Sequence, residues 1–120
     1  MKISYTEKKV MDMIWEKEPV HSRDVVEYCR LRFDWKNTTI YTFLKRLEEK
    51  GIIVNDHSLI TSLVSREEIE QESSREFVQD VFADSLPSFL VAFLHGKKLT
   101  EEECGELISL IESHQEKDDD

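Results

Sequence analysis

Hydroxyl groups and cations share one face of a predicted helix near the middle of the chain. Apolar residues recur there at intervals of three and four, which predicts an amphipathic helix whose stripe consists of Ile40, Phe43, Leu44 and Leu47. At about 100° per residue, the opposite arc holds Thr38, Tyr41, Thr42, Lys45 and Arg46. Hydroxyl groups bond to base edges, threonine methyls and aromatic rings pack against thymine methyls, and cations attract phosphates. This face therefore has the side chains that reading DNA requires, and a merely solvated helix face is the alternative interpretation.

Two further helices precede this one. Ser4, followed three residues later by a glutamate, has the form of a capping box and predicts a first helix over 5–17. Ser22 is the predicted N-cap of a second helix, which ends near residue 32. The helix with the polar arc then begins near Asn37 and ends before Gly51.

A β-hairpin is predicted after the third helix. The β-branched run 52–54 and the apolar run 59–64 read as strands, joined by a four-residue turn over 55–58. The order of elements over 1–65 is that of a winged helix-turn-helix domain, in which the third helix enters the major groove and the hairpin lies beside the DNA backbone as a wing. Because the turn contains no Lys or Arg, any contact of this wing with phosphates is predicted to be weak.

The segment 66–115 is predicted to form acidic helices that dimerise. Ser65 and Thr100 are each followed three residues later by a glutamate, as at helix starts, and Pro87 marks a break between two helices. The apolar residues of this segment are too many for short helices to bury alone, so a second subunit is expected to cover them. The predicted dimerisation residues are Phe82, Phe89, Phe93, Leu94, Leu107, Ile108 and Ile111. The tail over 116–120 has no apolar residue and is predicted to be disordered.

The charge of this chain is segregated. Its 120 residues carry a net charge of −10, which by itself argues against a polyanionic partner. Residues 1–65, however, have eleven Lys and Arg against ten Asp and Glu, a net charge of +1, whereas residues 66–120 have five against sixteen, a net charge of −11. Contact with DNA is therefore expected from the first segment, where Lys36, Lys45 and Arg46 are the predicted phosphate contacts.

Several classes of protein are excluded by what the sequence lacks. The sequence shows no arrangement of a nucleophile, a positioned histidine or a phosphate-binding loop that would form a catalytic site. An enzyme is therefore not expected. Cys29 and Cys104 share no short spacing with each other or with a histidine, so neither a metal nor another cofactor is predicted. The longest apolar run, Phe89 to Leu94, is far shorter than the roughly 20 residues of a membrane span. We therefore expect a cytoplasmic protein with no membrane partner and no small-molecule cofactor.

A longer set of residues matches a known family. The stretch from Trp35 to Gly51, with Thr39-Ile40-Tyr41-Thr42 and Lys45-Arg46-Leu47, is the specific part, and a looser match covers 3–15 and the region from Phe77 into the last helix. On these residues the chain resembles the penicillinase and methicillin-resistance repressors and their copper-responsive relatives. The resemblance implies a homodimeric transcriptional repressor that binds a palindromic operator in double-stranded DNA. It also implies a recognition helix that carries Thr38, Thr39, Tyr41, Thr42, Lys45 and Arg46.

Two departures from this family concern regulation. The copper-responsive members carry a C-terminal pair of Cys-x-Cys motifs, whereas Cys104 stands alone, so the resemblance does not extend to copper sensing. In the penicillinase branch a sensor protease cuts an Asn–Phe bond in the dimerisation segment. The aligned positions here are Ala92 and Phe93, which makes this bond the candidate proteolytic site and a sensor protease a candidate partner.

The sequence leaves a rival class of function open. In this alternative, the winged helix binds another protein as a scaffold, or the acidic helices act as a DNA mimic in an antirepressor. A mimic would be expected to carry acidic residues on the exposed face of its third helix, whereas the predicted arc holds Lys45, Arg46 and hydroxyl groups. The residues therefore favour the repressor.

Overall fold

The computed structural model describes residues 2–116 of the chain, so the predicted disorder of 117–120 lies outside the described residues. The described part is mainly helical with a small antiparallel sheet, which confirms the predicted fold class. The elements are α1 Tyr5–Lys17, β1 Val20–His21, α2 Ser22–Phe33, α3 Asn37–Glu49, β2 Ile53–Asp56, β3 Leu59–Ser62, α4 Arg66–Phe82, α5 Leu86–Leu94 and α6 Glu101–Ser113.

Side-chain caps begin most of these helices, as the sequence indicates. Ser4 and Thr100 form complete capping boxes at α1 and α6, and Ser65 accepts a hydrogen bond from the Glu68 amide at the start of α4. The predicted cap of α2 is wrong. His21 is the cap, because its Nδ1 accepts a hydrogen bond from the Arg23 amide at 3.0 Å, while Ser22 is the first helical residue and is buried.

The sheet has one strand more than the predicted hairpin. β3 lies between β1 and β2 and is antiparallel to both, with Val20 opposite Ile60 in the first pair and Ile53 opposite Ser62 in the second. The two residues of β1 are too few to show an alternating pattern, and only their pairing with β3 makes them a strand. β1 thus lies in the short connection between the end of α1 and the beginning of α2.

The turn of the hairpin is shorter than predicted. Asn55 and Asp56 belong to β2, so the four-residue turn is wrong and only His57 and Ser58 connect the strands. Both of these residues have positive φ, 51° and 73°, as in the two-residue turns whose twist matches that of the strands. Asn55 stabilises the turn, since its side-chain oxygen accepts a hydrogen bond from the Ser58 amide at 2.8 Å.

The hydrophobic core lies in the N-terminal part, between α1, α2, α3 and the sheet. Its fully buried side chains include Met11, Ile14, Val25, Ile40, Leu47, Ile52 and Ile60. Ile69 from α4 also packs into this core and is only 2% exposed. In contrast, no residue of α5 or α6 is buried.

Candidate nucleic-acid interface

The apolar face of α3 holds this helix firmly against the core. Ile40 and Leu47 are completely buried, and Leu44 is nearly so. Aromatic rings support the beginning of the helix, because Trp35 lies 4.6 Å from the Phe33 ring and 5.5 Å from the Phe43 ring, centroid to centroid. The helix therefore cannot rotate without losing these contacts, and its outer face has a defined direction.

All seven residues that the sequence assigns to DNA contact lie on the surface of this helix or at its cap. All of them are exposed to solvent, and they are Lys36, Thr38, Thr39, Tyr41, Thr42, Lys45 and Arg46. Lys36 is the N-cap of α3 and makes no side-chain hydrogen bond to the helix. The structure thus brings the predicted residues together on one outward face, backed by a buried one.

Thr42 has a hydrogen bond that limits what its side chain offers. Its hydroxyl donates to the backbone carbonyl of Thr38 at a distance of 2.9 Å. Because a hydroxyl has a single proton, Oγ1 is left only as an acceptor, while Thr42 as a whole is exposed to solvent. This geometry favours a contact between the Thr42 methyl and a thymine methyl over donation to a base.

An ion pair that the sequence analysis did not find anchors the C-terminal end of α3. Lys50, the C-cap, places its Nζ 2.8 Å and 2.9 Å from the two carboxylate oxygens of Glu7. Glu7 also accepts hydrogen bonds within its capping box from the Ser4 amide, and its side chain is 4% exposed. Burial raises the pKa of Glu7, but the bonds from Lys50 and Ser4 outweigh it and hold this pKa below its usual value.

The wing of this domain carries an acidic group near its tip. The hairpin over 53–62 contains no Lys or Arg. Asp56 lies 2.6 Å from the Nδ1 atom of His57, and both side chains are largely exposed. The wing therefore offers phosphates no permanent cation, in contrast to the surface of α3.

A second surface is formed by apolar residues of α4, α5 and α6. Phe77, Phe82 and Phe89 contact each other through their ring edges, with centroids 5.5 to 6.1 Å apart, and Phe93 lies 5.7 Å from Phe89. Of the predicted dimerisation residues, Phe82, Phe89 and Leu94 are half-buried, whereas Phe93, Leu107, Ile108 and Ile111 are exposed. A groove of about 390 Å³ between α5 and α6 is lined mainly by apolar side chains.

The candidate proteolytic bond lies within a helix. Ala92 and Phe93 are both exposed, but they belong to the last turn of α5, which ends at Leu94. Cleavage there requires this turn to open, because a protease binds its substrate as an extended strand.

The described residues show neither a metal centre nor a membrane span. No group of three or more His, Cys, Asp or Glu side chains in 2–116 could hold a metal ion. No single helix in this range has the length and apolar composition to cross a membrane. The helices α4 and α5 meet that criterion only as a pair, and they are bent by 86° relative to each other.

Comparison with known proteins places this architecture in a family. The family model described as penicillinase repressor matches residues 3–113, which include α3, the hairpin and all three C-terminal helices. The chain belongs to the penicillinase repressor family. Family membership indicates a regulatory role, that of a transcriptional repressor.

Individual relatives cover the same length. The methicillin resistance regulatory protein MecI of Mammaliicoccus sciuri is 29% identical over 113 residues, which is 91% of this chain and 92% of the relative. The penicillinase repressor of Bacillus licheniformis is 28% identical over 117 residues, 93% of this chain and 91% of the relative. The likeness to these repressors thus includes both the winged domain and the helices after it.

Proposed function

We propose that this chain represses transcription as a homodimer that binds a palindromic operator. In this proposal α3 reads bases in the major groove, and α4 to α6 join the two subunits. The observation that carries the proposal is the arrangement of α3, whose inner face is locked in the core while Thr38, Tyr41, Thr42, Lys45 and Arg46 face outward together. A helix held in this way presents base-reading and phosphate-binding groups in fixed positions.

The C-terminal helices support the dimeric part of the proposal. Phe93, Ile108 and Ile111 are each more than half exposed in the single chain. Burying an apolar side chain contributes about 1.5 to 3 kcal/mol, so several such side chains per subunit can outweigh the repulsion between two acidic segments. Once one subunit of the dimer has bound its half-site, the other binds the second half-site intramolecularly. This raises the affinity for the operator by about 10² to 10⁴-fold.

The surface of α3 also weighs against the alternative of a DNA mimic. An acidic decoy requires carboxylates where DNA would offer phosphates, but Lys45 and Arg46 are exposed on this helix and Lys36 is exposed at its N-cap. The carboxylates at Glu48 and Glu49 lie only at its C-terminal end. The scaffold alternative, in which the same face binds a protein, is decided by the following experiment.

Two experiments on the purified protein test the proposal. Bound duplexes are selected from a random pool, and the mass of the protein in solution is measured by sedimentation. We expect a dimer at micromolar concentration and a palindrome among the selected duplexes. If the dimer neutralises about six to eight phosphates, log K should fall against log salt with a slope near −5 to −7. A monomer, or an absence of preference over random duplex, would contradict the proposal.

Phe93→Asp in the full chain tests the division of labour between the two segments. We expect this variant to be monomeric and to bind the palindrome about 10²-fold or more weakly, because it loses the intramolecular second contact. Its binding to a single half-site should equal that of the wild type, since Phe93 lies far along the chain from α3. Lys98→Gln, at an exposed position between α5 and α6, is the control, because it lowers the net charge by one, as Phe93→Asp does.

Relief of repression by a sensor protease is a further part of the proposal, and it concerns Ala92–Phe93. A cut at this bond would separate α6 from the rest of the chain and remove part of the dimer surface. Because the related site is an Asn–Phe bond, Ala92→Asn should be cleaved by a penicillinase-type sensor protease at least as fast as the wild type. Fragment masses locate the cut, and cleavage elsewhere would contradict this assignment.

A further inference from the structure

The path from the winged domain into α4 is held by a hydrogen bond to a tryptophan. Trp15, in the last turns of α1, donates from Nε1 to the backbone carbonyl of Val64 at 3.0 Å. Val64 comes directly before Ser65, the N-cap of α4. The bond therefore joins α1 to the chain at the point where the C-terminal helices begin.

The first turn of α4 is held on the same ring by a cation. The Arg66 guanidinium lies 5.3 Å from the centroid of the Trp15 ring, within the range of a cation–π contact. Its Nη2 atom is also 3.5 Å from a carboxylate oxygen of Asp12 and 3.4 Å from the Asp12 backbone carbonyl. Lys8 extends this contact, since its Nζ lies 3.1 Å from Asp12 and 3.9 Å from Glu70.

A buried side chain supplies a third attachment one turn further along α4. Ile69 is 2% exposed and belongs to the same hydrophobic cluster as Val10 and Ile14 of α1. The beginning of α4 is thus held at the connection before it, at its first residue and at its fourth. Such a helix leaves the winged domain in one direction.

That direction determines the position of distant residues, because α4 is long. Its 17 residues span about 25 Å at 1.5 Å per residue. A change of about 10° at its start moves its far end by about 4 Å over a helix of this length. Since α5 and α6 follow α4, the same change would alter the distance and rotation between the two reading helices of a dimer.

We infer that Trp15 and Arg66 are positioning residues that set the half-site spacing the repressor accepts. This inference rests on the proposed function, namely a dimer on a palindrome. Neither residue is required to touch DNA or the partner subunit. They act by fixing α4 relative to α3 through α1.

The test compares the wild type with Trp15→Phe and Arg66→Gln on duplexes of different spacing. Trp15→Phe keeps an aromatic ring but loses the N–H donor to the Val64 carbonyl. Arg66→Gln keeps the hydrogen bond between Trp15 and Val64 but loses the cation that lies against the Trp15 ring. The duplexes are the selected palindrome, versions with two base pairs added or removed between the half-sites, and a single half-site. Lys17→Gln, at an exposed position on α1, is the control for the loss of one positive charge.

We expect the wild type and Lys17→Gln to lose most of the roughly 10² to 10⁴-fold gain of two-site binding when the spacing changes. Two base pairs rotate one half-site by about 70°, given 10 to 10.5 base pairs per turn. In both junction variants the difference between spacings should fall below about tenfold, a loosening that a general loss of stability would not produce. Their binding to the single half-site should stay within about twofold of the wild type.

Each outcome has one interpretation. Variants that bind the single half-site normally but keep the steep spacing preference of the wild type would overturn the inference and leave the proposed function intact. If Trp15→Phe no longer binds the single half-site, the spacing preference of Arg66→Gln decides whether the inference holds, because this variant leaves the Trp15 ring in place. A wild type that binds the palindrome no better than a single half-site would overturn the proposed function, and this inference with it.

Discussion

Glu7 in the first turn of α1 forms an ion pair with Lys50, the C-cap of α3, with 2.8 Å between Oε1 and Nζ. The carboxylate is 4% exposed and the ammonium group's side chain 35% exposed. Glu7 also completes the capping box with Ser4. The pair therefore joins the first turn of α1 to the C-terminal end of α3, so it stabilises the fold and holds the outward face of α3 in position.

Replacing Glu7 by Gln should lower the free energy of unfolding at pH 7 by about 1 to 3 kcal/mol, because Lys50 loses its partner but keeps partial access to water. The pKa of Glu7 is lowered in the folded chain, so its contribution is present above the unfolded-state pKa and is lost as pH falls through the folded-state value. Urea unfolding of both proteins between pH 7 and pH 3 measures this. The difference between them should shrink toward the acid end, and a difference that grows there would contradict the assignment. Glu16→Gln, at an exposed position on the same helix, is the control.

Two substitutions at Thr42 separate its methyl group from its hydroxyl. Because the hydroxyl proton is bonded to the Thr38 carbonyl, Thr42→Val should keep the base preference of the wild type. Thr42→Ser should relax the preference at one position in each half-site, by about 1 to 3 kcal/mol. Competition binding with duplexes substituted at each position gives the answer. The reverse pattern, with the preference lost in the valine variant, would assign the reading to the hydroxyl.

Arg46→Ala should weaken binding to every duplex to a similar extent if this side chain grips a phosphate. Removing one phosphate contact per subunit should also make the salt slope less steep by about 2 for the dimer. Binding to the selected palindrome and to a random duplex is measured at several salt concentrations. A loss confined to the palindrome, with an unchanged slope, would instead assign Arg46 to base reading.

Cys29 should be unreactive in the folded protein. Its side chain has no exposed surface, and burial raises its pKa to about 11. In a Cys104→Ser variant, which leaves Cys29 as the single thiol of the chain, alkylation at pH 8 should proceed only through unfolding. The labelling rate should therefore rise with urea in parallel with the unfolded fraction. Rapid labelling without denaturant would show that the core opens locally at α2.

Much of the fold was predictable, because its signals are local. The apolar stripe of α3, the capping boxes at Ser4 and Thr100 and the break near Pro87 each depend on residues within one or two turns of each other. Hydrogen bonds and packing over such short separations are set by residue type alone. The orientation of Thr42 and Lys45 away from the core follows from the same periodicity.

The tertiary structure decided what depends on residues far apart in the chain. β1 exists only because Val20 meets Ile60, and Glu7 reaches Lys50 across 43 positions. Trp15 bonds to Val64 across 49 positions. Such pairs form when separate elements are brought together by the burial of a shared core, and no local pattern encodes which partners then meet. The sequence by itself therefore determined which face of α3 points outward, whereas only the folded chain decided how that face is anchored and how α4 leaves it.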